Sequence, residues 1–411
     1  MNGSSTESTI IFILVWLVGL TLIVNNLNPY FGIPPQVLIY LVSLIALIVL
    51  IVLHPIMQLD YLISLLLAVI LLSICVNDIP SFFKPYERFV GFMIIVGLVG
   101  PWIKSRLLSN YRLGLFRTIN LIFCILSVVS FLSLLTNQSW AHNRSGFSGI
   151  MVHSMVMGPV AAIALLYGLY QLMTKRNRLL TLTSAFVILA SFINVVAAGS
   201  RGAIVALVLG LVIFLFLNAN SKIQFVKIFV IISGMLYFTF PLWQEYTAHI
   251  VSKMEYAEKH ESFSASRDDL WNNRLREFKS SPLIGIGFSS VDTKISNKFD
   301  RNNGKVEPGS SWLAVLSMTG IVGFFLVVLI FLKYAKFCLP TKISFQNNSR
   351  ALLGGLLVFF MVHLFIEGYI FSSVAMLFFY LWLLLSIIQI EVNRESLLKR
   401  KIKKWHTLID N

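Results

Sequence analysis

Charge is scarce in this chain and unevenly signed: Asp, Glu, Lys and Arg make up 12% of 411 residues, 33 of them basic and 18 acidic. Cysteine is scarcer. Cys75, Cys124 and Cys338 stand in or beside apolar runs at unrelated spacings, which excludes a disulfide framework and a cysteine metal site. Nucleophile-elbow patterns, phosphate-binding glycine loops and metal-ligand spacings are also missing, and this disfavours a hydrolase or an ATPase. Low-complexity stretches and internal repeats are lacking too. The sixth and seventh apolar runs do not restart the pattern of the first, as the two halves of a transporter would.

What the chain has in abundance is apolar length. Hydrophobic residues reach 57% and the mean hydropathy is +0.81. Several runs exceed the roughly 18 uncharged residues that mark a bilayer span. The chain is therefore expected to be an all-α polytopic membrane protein. Its first run, "TIIFILVWLVGLTLIV", has neither a basic leader nor a small-residue cleavage site and reads as a membrane helix rather than a removed signal. About twelve spans are expected, near 10–26, 36–53, 59–76, 89–103, 115–136, 149–173, 179–198, 202–218, 224–240, 311–332, 350–368 and 370–391. They divide the chain into a bundle over 1–240, an extracytoplasmic loop over 241–309, three further spans over 310–391 and a basic tail over 392–411.

With alternating spans, Lys104/Arg106/Arg112, Lys175/Arg176/Arg178, Lys222/Lys227, Lys333/Lys336/Lys342 and the tail "RESLLKRKIKK" fall on one side. The positive-inside rule makes that side cytoplasmic and puts both termini there. Loops and tail thus carry most of the +15 net charge, which anionic lipid and insertion explain without nucleic acid. The connection over 241–309 lies outside. Apolar residues recur there at Tyr246, Ile250, Met254 and Ala257, and Ser266 with Asp269 has capping-box spacing, so two short helices are expected over the membrane.

Ionisable residues gather at the outer ends of the spans. Arg88 opens the fourth, Arg144 and His153 flank the start of the sixth, Arg201 opens the eighth, Glu307 precedes the tenth, and His363 and Glu367 lie one turn apart at the end of the eleventh. Any one of these could snorkel harmlessly, but so many on one side point to a site. The helices beginning at Arg201 and Ser310 both run inward from that side, so their amide ends face it. Arg201, with Arg267 and Arg88, could hold a phosphate or diphosphate there. The plainer alternative is that Gly199 and Ser200 join two helices while Arg201 anchors to headgroups.

"GSRGAIVALVLG", then a long loop with "SRDDLWNNRLREFKSSPLIGIGF", then "SSWLAVLSMTGIVGFF" resembles the bacterial O-antigen ligase and polymerase family over roughly 190–335. "YERFVGFM" around Arg88 and "RSGFSGIMVHSMVMGP" around Arg144 and His153 fit the same resemblance. It implies a glycosyltransferase of the bacterial cytoplasmic (inner) membrane, with its site facing outward. The donor would be an undecaprenyl-diphosphate-linked oligosaccharide and the acceptor a glycan, without nucleotide sugar, metal or other cofactor. Membrane lipids and a chain-length-regulating membrane protein would be its partners.

The chain departs from that pattern at one position. Ligases of the family carry a histidine before the helix that reaches the glycine pair, here Gly320 and Gly323, whereas this chain has "EPGSSW". Glu307 is the nearest ionisable substitute as the base, and Ser310 and Ser311 could bond sugar. Glu307 could instead pair with Arg274, Arg276 or Lys305 and anchor the loop. His153 is a second candidate for proton transfer. Arg144, Trp271, Trp312, His363 and Glu367 are candidate saccharide contacts; the tryptophans also suit an interfacial belt, and His363 and Glu367 a structural pair. The missing histidine favours a repeat-unit polymerase for O-antigen, capsule or exopolysaccharide. A ligase acting on a lipid A-core acceptor and, from another class, a flippase for the same lipid-linked sugar are the alternatives.

Overall fold

The computed structural model describes residues 5–27, 29, 37–143, 146–174, 177–219, 221–259, 267–338, 348–372 and 375–409. Fourteen α-helices account for nearly all of its regular structure among the described residues. They are α1 (Ser5–Val24), α2 (Val37–Leu53), α3 (Tyr61–Val76), α4 (Pro85–Leu98), α5 (Arg106–Leu135), α6 (Ser154–Thr174), α7 (Arg178–Ala197), α8 (Arg201–Asn218), α9 (Lys222–Trp243), α10 (Ala248–Lys259), α11 (Asp268–Ser280), α12 (Ser311–Cys338), α13 (Asn348–Ile366) and α14 (Met376–Ile409). Nine helices among the described residues are long and apolar enough to cross a membrane, and α2 and α3 are shorter apolar helices. The chain is an all-α polytopic membrane protein.

The expected spans meet twelve of these helices, with several boundaries displaced: α5 begins at Arg106 rather than near 115, and α14 at Met376 rather than near 370. The fourth span was expected to run to residue 103, but α4 starts at Pro85, ends at Leu98 and is 14 residues long. At 1.5 Å per residue it covers about 21 Å, less than the ~30 Å hydrocarbon core. After it the chain turns, and Ile103–Lys104 pair antiparallel with Gln58–Leu59, so the α2–α3 and α4–α5 connections meet at one end of the bundle. Arg112, counted from sequence among the surface positive charges, is buried instead and finishes α4. Its Nε donates to the Leu98 carbonyl at 2.9 Å, Nη1 to Ile103 at 2.9 Å and Nη2 to Gly97 at 2.8 Å. A helix end inside a bundle needs such partners because water cannot reach its last carbonyls. At the same end, Asp60 accepts from Lys104 at 2.9 Å and from Lys333 at 2.5 Å, tying α3, the α4–α5 turn and the end of α12 together. This is the basic end of the bundle.

Two features shape the opposite end, where the long loop sits. Helices α8 and α13 pack backbone to backbone: a Cβ on Gly210 would lie 2.8 Å from the Gly355 carbonyl oxygen. Small residues allow this approach, and it gains dispersion contacts that lipid cannot replace. Helix α12 is broken at Gly320, whose φ of 65° and ψ of −170° fit only glycine. The turn after α11 inserts at the break. Ile321 N donates to the Pro282 carbonyl at 2.8 Å, Ile286 N donates to Ser317 at 2.9 Å, and the Ser73 hydroxyl reaches the Met318 carbonyl at 2.7 Å. Irregular backbone at this depth is tolerated because each freed group finds a protein partner.

Both short loop helices are present as α10 and α11. Ser266, the expected capping residue, lies outside the described residues, and Arg267 occupies the N-cap position of α11 without a side-chain cap bond. The expected basic tail is the continuation of α14, which runs as helix to Ile409.

Candidate functional site

The loop end is organised around the start of α12. Gly309 takes a φ of 73°, and a Cβ there would meet Leu270 Cβ at 2.7 Å, so α11 rests directly on this turn. From α11, Arg267 Nη1 donates to the Gly309 carbonyl at 3.1 Å, and Trp271 Nε1 donates to the same oxygen at 3.3 Å. The other arm, Arg267 Nη2, meets Glu367 Oε1 at 2.5 Å. Both side chains of this pair remain partly open, 14% and 18% exposed. Residues far apart in sequence thus converge: α11 supplies the guanidinium, the end of α13 the carboxylate, and the start of α12 the carbonyl.

Ser310 and Ser311 are buried beneath this pair, and their hydroxyls are engaged within the chain. Ser311 Oγ donates to the Glu367 carbonyl at 2.6 Å and accepts from Tyr369 N at 2.9 Å and Ile370 N at 3.2 Å. Ser310 Oγ donates to the Leu364 carbonyl at 3.4 Å. They fix the chain after α13 against α12 rather than presenting hydroxyls outward. The Ser311 amide also donates to the Glu367 carbonyl, at 3.1 Å, so the leading amide of α12 is not open to an outside anion. Trp312 is likewise internal. Its Nε1 donates to the Met361 carbonyl at 3.3 Å, and its ring packs on Phe331 and Phe365, so a stacked sugar face is not on offer.

The start of α8 differs. Ser200 gives it no side-chain cap, Arg201 is its first residue and half-buried, and a Cβ on Gly202 would sit 2.9 Å from Ile366 Cγ2. The start of α8 therefore packs on the end of α13, with Gly202, next to Arg201, against Ile366, next to Glu367. His153 precedes α6 on the same side, half-buried, its Nδ1 accepting from Met155 N at 3.2 Å. A Cβ on Gly158 would lie 3.1 Å from Ser200 Cβ, which brings the start of α6 to the start of α8. Arg144 lies outside the described residues.

Three further residues have geometry that the sequence did not foretell. Arg88 clamps the loop: Nη1 donates to Ser289 Oγ at 2.8 Å, and Nη2 to the Asn303 carbonyl at 3.0 Å and the Gly304 carbonyl at 2.7 Å. Those bonds use the fork that an external diphosphate would need. His363 is fully buried, stacked on Phe359 with its Nδ1 2.9 Å from the Tyr369 hydroxyl, which places it inside the bundle rather than at the surface with Glu367. Glu307 is exposed and carries no ion pair among the described residues; only its backbone is held, its amide donating to Lys298 at 3.3 Å. The anchoring partner considered for it, Arg274, belongs to Glu277 instead, at 2.8 Å and with both side chains buried.

That Arg274–Glu277 pair docks α11 on the broken helix. Arg274 Nη1 also donates to Ser317 Oγ at 3.2 Å and to the Ser290 carbonyl at 3.2 Å, while Glu277 Oε1 accepts from Asp292 N at 3.0 Å. Burial pushes the Glu277 carboxyl above its ordinary range, and Arg274 only partly offsets this. An i, i+3 pair on a polar helix reads from sequence as a solvated face, so nothing in the pattern marked it as buried.

A large cavity lies elsewhere, at the basic end. It has a volume of about 780 Å³ between α5, α6, α7, α13 and α14, and none of the loop-end residues line it. The charged cluster and this cavity are separate features at opposite ends of the bundle.

Residues 185–328 match a family model described as O-Antigen ligase. That segment runs from α7 through the loop to the middle of α12, and so contains Arg201, Arg267, Trp271 and Glu307. The match supports the O-antigen ligase/polymerase family. No curated protein matches the chain. Glu367 and His153 fall outside the segment matched to the O-antigen ligase model, and the fold brings them to its edge.

Proposed function

We propose that this protein is a metal-independent glycosyltransferase that polymerises polyprenyl-diphosphate-linked oligosaccharide repeat units at the loop end of the bundle. With the basic loops held in the cytoplasm, that end faces outward from the cytoplasmic membrane and both termini are cytoplasmic. One observation carries the reading: Arg267 is fixed to Glu367 and to the start of α12, and Ile366, the residue before Glu367, packs on Gly202, the residue after Arg201 at the start of α8. A departing diphosphate would meet two guanidinium groups and the positive end of a helix dipole. Among the arginines, Arg201 and Arg267 are assigned to the diphosphate, and Arg88 to holding the loop.

The acceptor hydroxyl needs a base on the opposite side of the reacting carbon. Glu307 is assigned that role. It is exposed and, through the contact of Pro308 with Gly368, lies on the strand of chain adjoining Glu367. Glu367 then positions Arg267, and Trp271 lines the approach. Polymerase is favoured over ligase because "EPGSSW" lacks the ligase-type histidine. Deleting the gene in its host and analysing the surface glycan tests the proposal. Single capping units support a polymerase, free lipid-linked polymer would turn the reading to a ligase, and loss of lipid-linked sugar from the outer leaflet would turn it to a flippase.

A further inference from the structure

We propose that the cavity at the basic end holds one aminophospholipid from the adjoining membrane leaflet. Its wall on α5 runs from Leu113 to Val129 and includes Arg117, Leu121, Ile125 and Val129, spaced four apart and therefore stacked along one helix face. From Arg117, at the polar rim, to Val129 there are twelve steps of 1.5 Å, so the wall below the rim is about 18 Å deep. That is close to half of the ~30 Å hydrocarbon core, the depth of one leaflet. Although they line the cavity, Leu121, Ile125 and Val129 are 51%, 52% and 41% exposed, so it opens sideways between helices, toward lipid.

The chemistry of the lining changes along that depth. Polar groups collect where the helices meet the basic loops: Arg117 from α5, Gln171 and Thr174 from the end of α6, Thr183 from α7, Ser349 from the start of α13 and Glu391 from α14. Farther in, the wall is mainly apolar, with Phe116, Leu121, Cys124, Ile125, Val128 and Val129. A cleft that is polar at headgroup level and apolar for one leaflet's depth matches a glycerophospholipid with its chain inward. A soluble ligand would leave the long apolar wall facing water, at a cost proportional to its area.

The two charges on the rim select the headgroup. Arg117 can take a phosphate and Glu391 an ammonium. Among the described residues Glu391 has one ion-pair partner, Arg394, at a loose 3.9 Å and 73% exposed, a pair too weak to hold the carboxylate away. A headgroup bearing only negative charge would leave Glu391 facing a like charge. The occupant is therefore an aminophospholipid rather than an anionic one, and the basic end as a whole helps to draw its phosphate in.

The test uses the full chain purified in mild detergent, exchanged against vesicles of equal phosphatidylethanolamine and phosphatidylglycerol, washed, and analysed for bound lipid by mass spectrometry. The wild type should keep phosphatidylethanolamine at a stoichiometric level and in clear excess over phosphatidylglycerol. Ile125→Trp, at a lipid-facing position where bulk is accommodated, should lower retention by about tenfold, and Arg117→Gln by a comparable factor. Glu391→Gln should keep a lipid but lose the preference between headgroups. Should Ile125→Trp impair folding, Thr183→Trp fills the same cleft from an exposed site on α7. Undiminished lipid in a well-folded plugged variant, the two lipids retained as supplied, or displacement of phosphatidylethanolamine by an equal amount of polyprenyl phosphate would each overturn the proposal.

Discussion

Arg267→Ala removes a guanidinium that makes two bonds, to Glu367 at 2.5 Å and to the Gly309 carbonyl at 3.1 Å. With side chains 14% and 18% exposed, the pair lies between the surface and buried limits. Exposed pairs contribute about 0.2–1 kcal/mol, and breaking a fully buried one costs about 3–5 kcal/mol. A cost of about 2 kcal/mol in loop docking is expected for Arg267→Ala, and about 1 kcal/mol for Glu367→Gln, which keeps an acceptor. If docking were the whole role, activity would follow stability. If the guanidinium also stabilises the departing diphosphate, Arg267→Ala should lower polymer synthesis by a further ~10²–10³-fold, the usual cost of a lost charge-stabilising donor. The assay is polymer length and rate in membranes of a deletion strain, alongside melting of the purified variants. Equal losses of activity in Arg267→Ala and Glu367→Gln, scaled to their melting points, would refute a direct role. Full activity of Arg267→Ala would refute the site altogether.

Arg201→Ala should abolish polymer while protein level and insertion stay normal, and Arg201→Lys should restore a fraction, because an ammonium cannot offer a bidentate fork; polymer analysis by gel reads both. Glu307→Gln should lower turnover by about 10²–10⁴-fold with donor binding intact, and since the carboxylate is exposed its melting point should not move; unchanged turnover would make His153 the next base to examine. Asp60→Asn should melt earlier at neutral pH. Burial alone would raise the Asp60 carboxyl, but hydrogen bonds and charge from Lys333 and Lys104 outweigh it and hold it below its ordinary value. A depressed carboxyl stabilises above its unfolded value of about 3.9 and loses that contribution as pH falls through the folded value, so the gap between wild type and Asp60→Asn should close in acid. A gap that widens in acid would contradict the assigned charges.

Hydropathy made the helices legible because lipid leaves the backbone few options: twelve apolar runs met twelve helices. The end of α4 was not legible, since an apolar run continues through Val99 to Ile103 while Gly100, Pro101 and a tertiary cap from Arg112 end the helix. The site was legible in part. Charge at span ends pointed to Arg88, Arg201 and Glu367, and the outer loop to Arg267, but sequence cannot tell which partners a fork already holds: Arg88 holds the loop at Ser289, Asn303 and Gly304, and Arg267 holds Glu367 and the Gly309 carbonyl. Ser310, Ser311 and Trp312 looked like sugar contacts for the same reason. Their bonds go to the end of α13, about fifty residues away in sequence. The pairing of Arg267 with Glu367, one hundred residues apart, left no periodic trace at all.

The two loop helices should differ in mobility, and the difference bears on how a large substrate reaches the site. Helix α11 buries Leu270, Arg274 and Glu277, and the turn after it bonds into the break in α12. Arg88 fastens the rest of the loop through Ser289, Asn303 and Gly304. These ties make the α11 side one body with the membrane helices, unable to lift without exposing an ion pair and unpartnered carbonyls. Helix α10 is more open among its described residues: Val251 and Met254 are exposed, and α9 before it has no buried residue. Local opening follows the density of buried contacts. Amides of α10 should therefore exchange with deuterium about 10²-fold faster than those of α11, a gap of roughly 2.7 kcal/mol in opening free energy. Arg274→Ala should bring α11 toward α10 by removing its buried anchor. Equal exchange in the wild type would mean that α11 is as free as α10, and a substrate path on the α10 side would lose its physical basis.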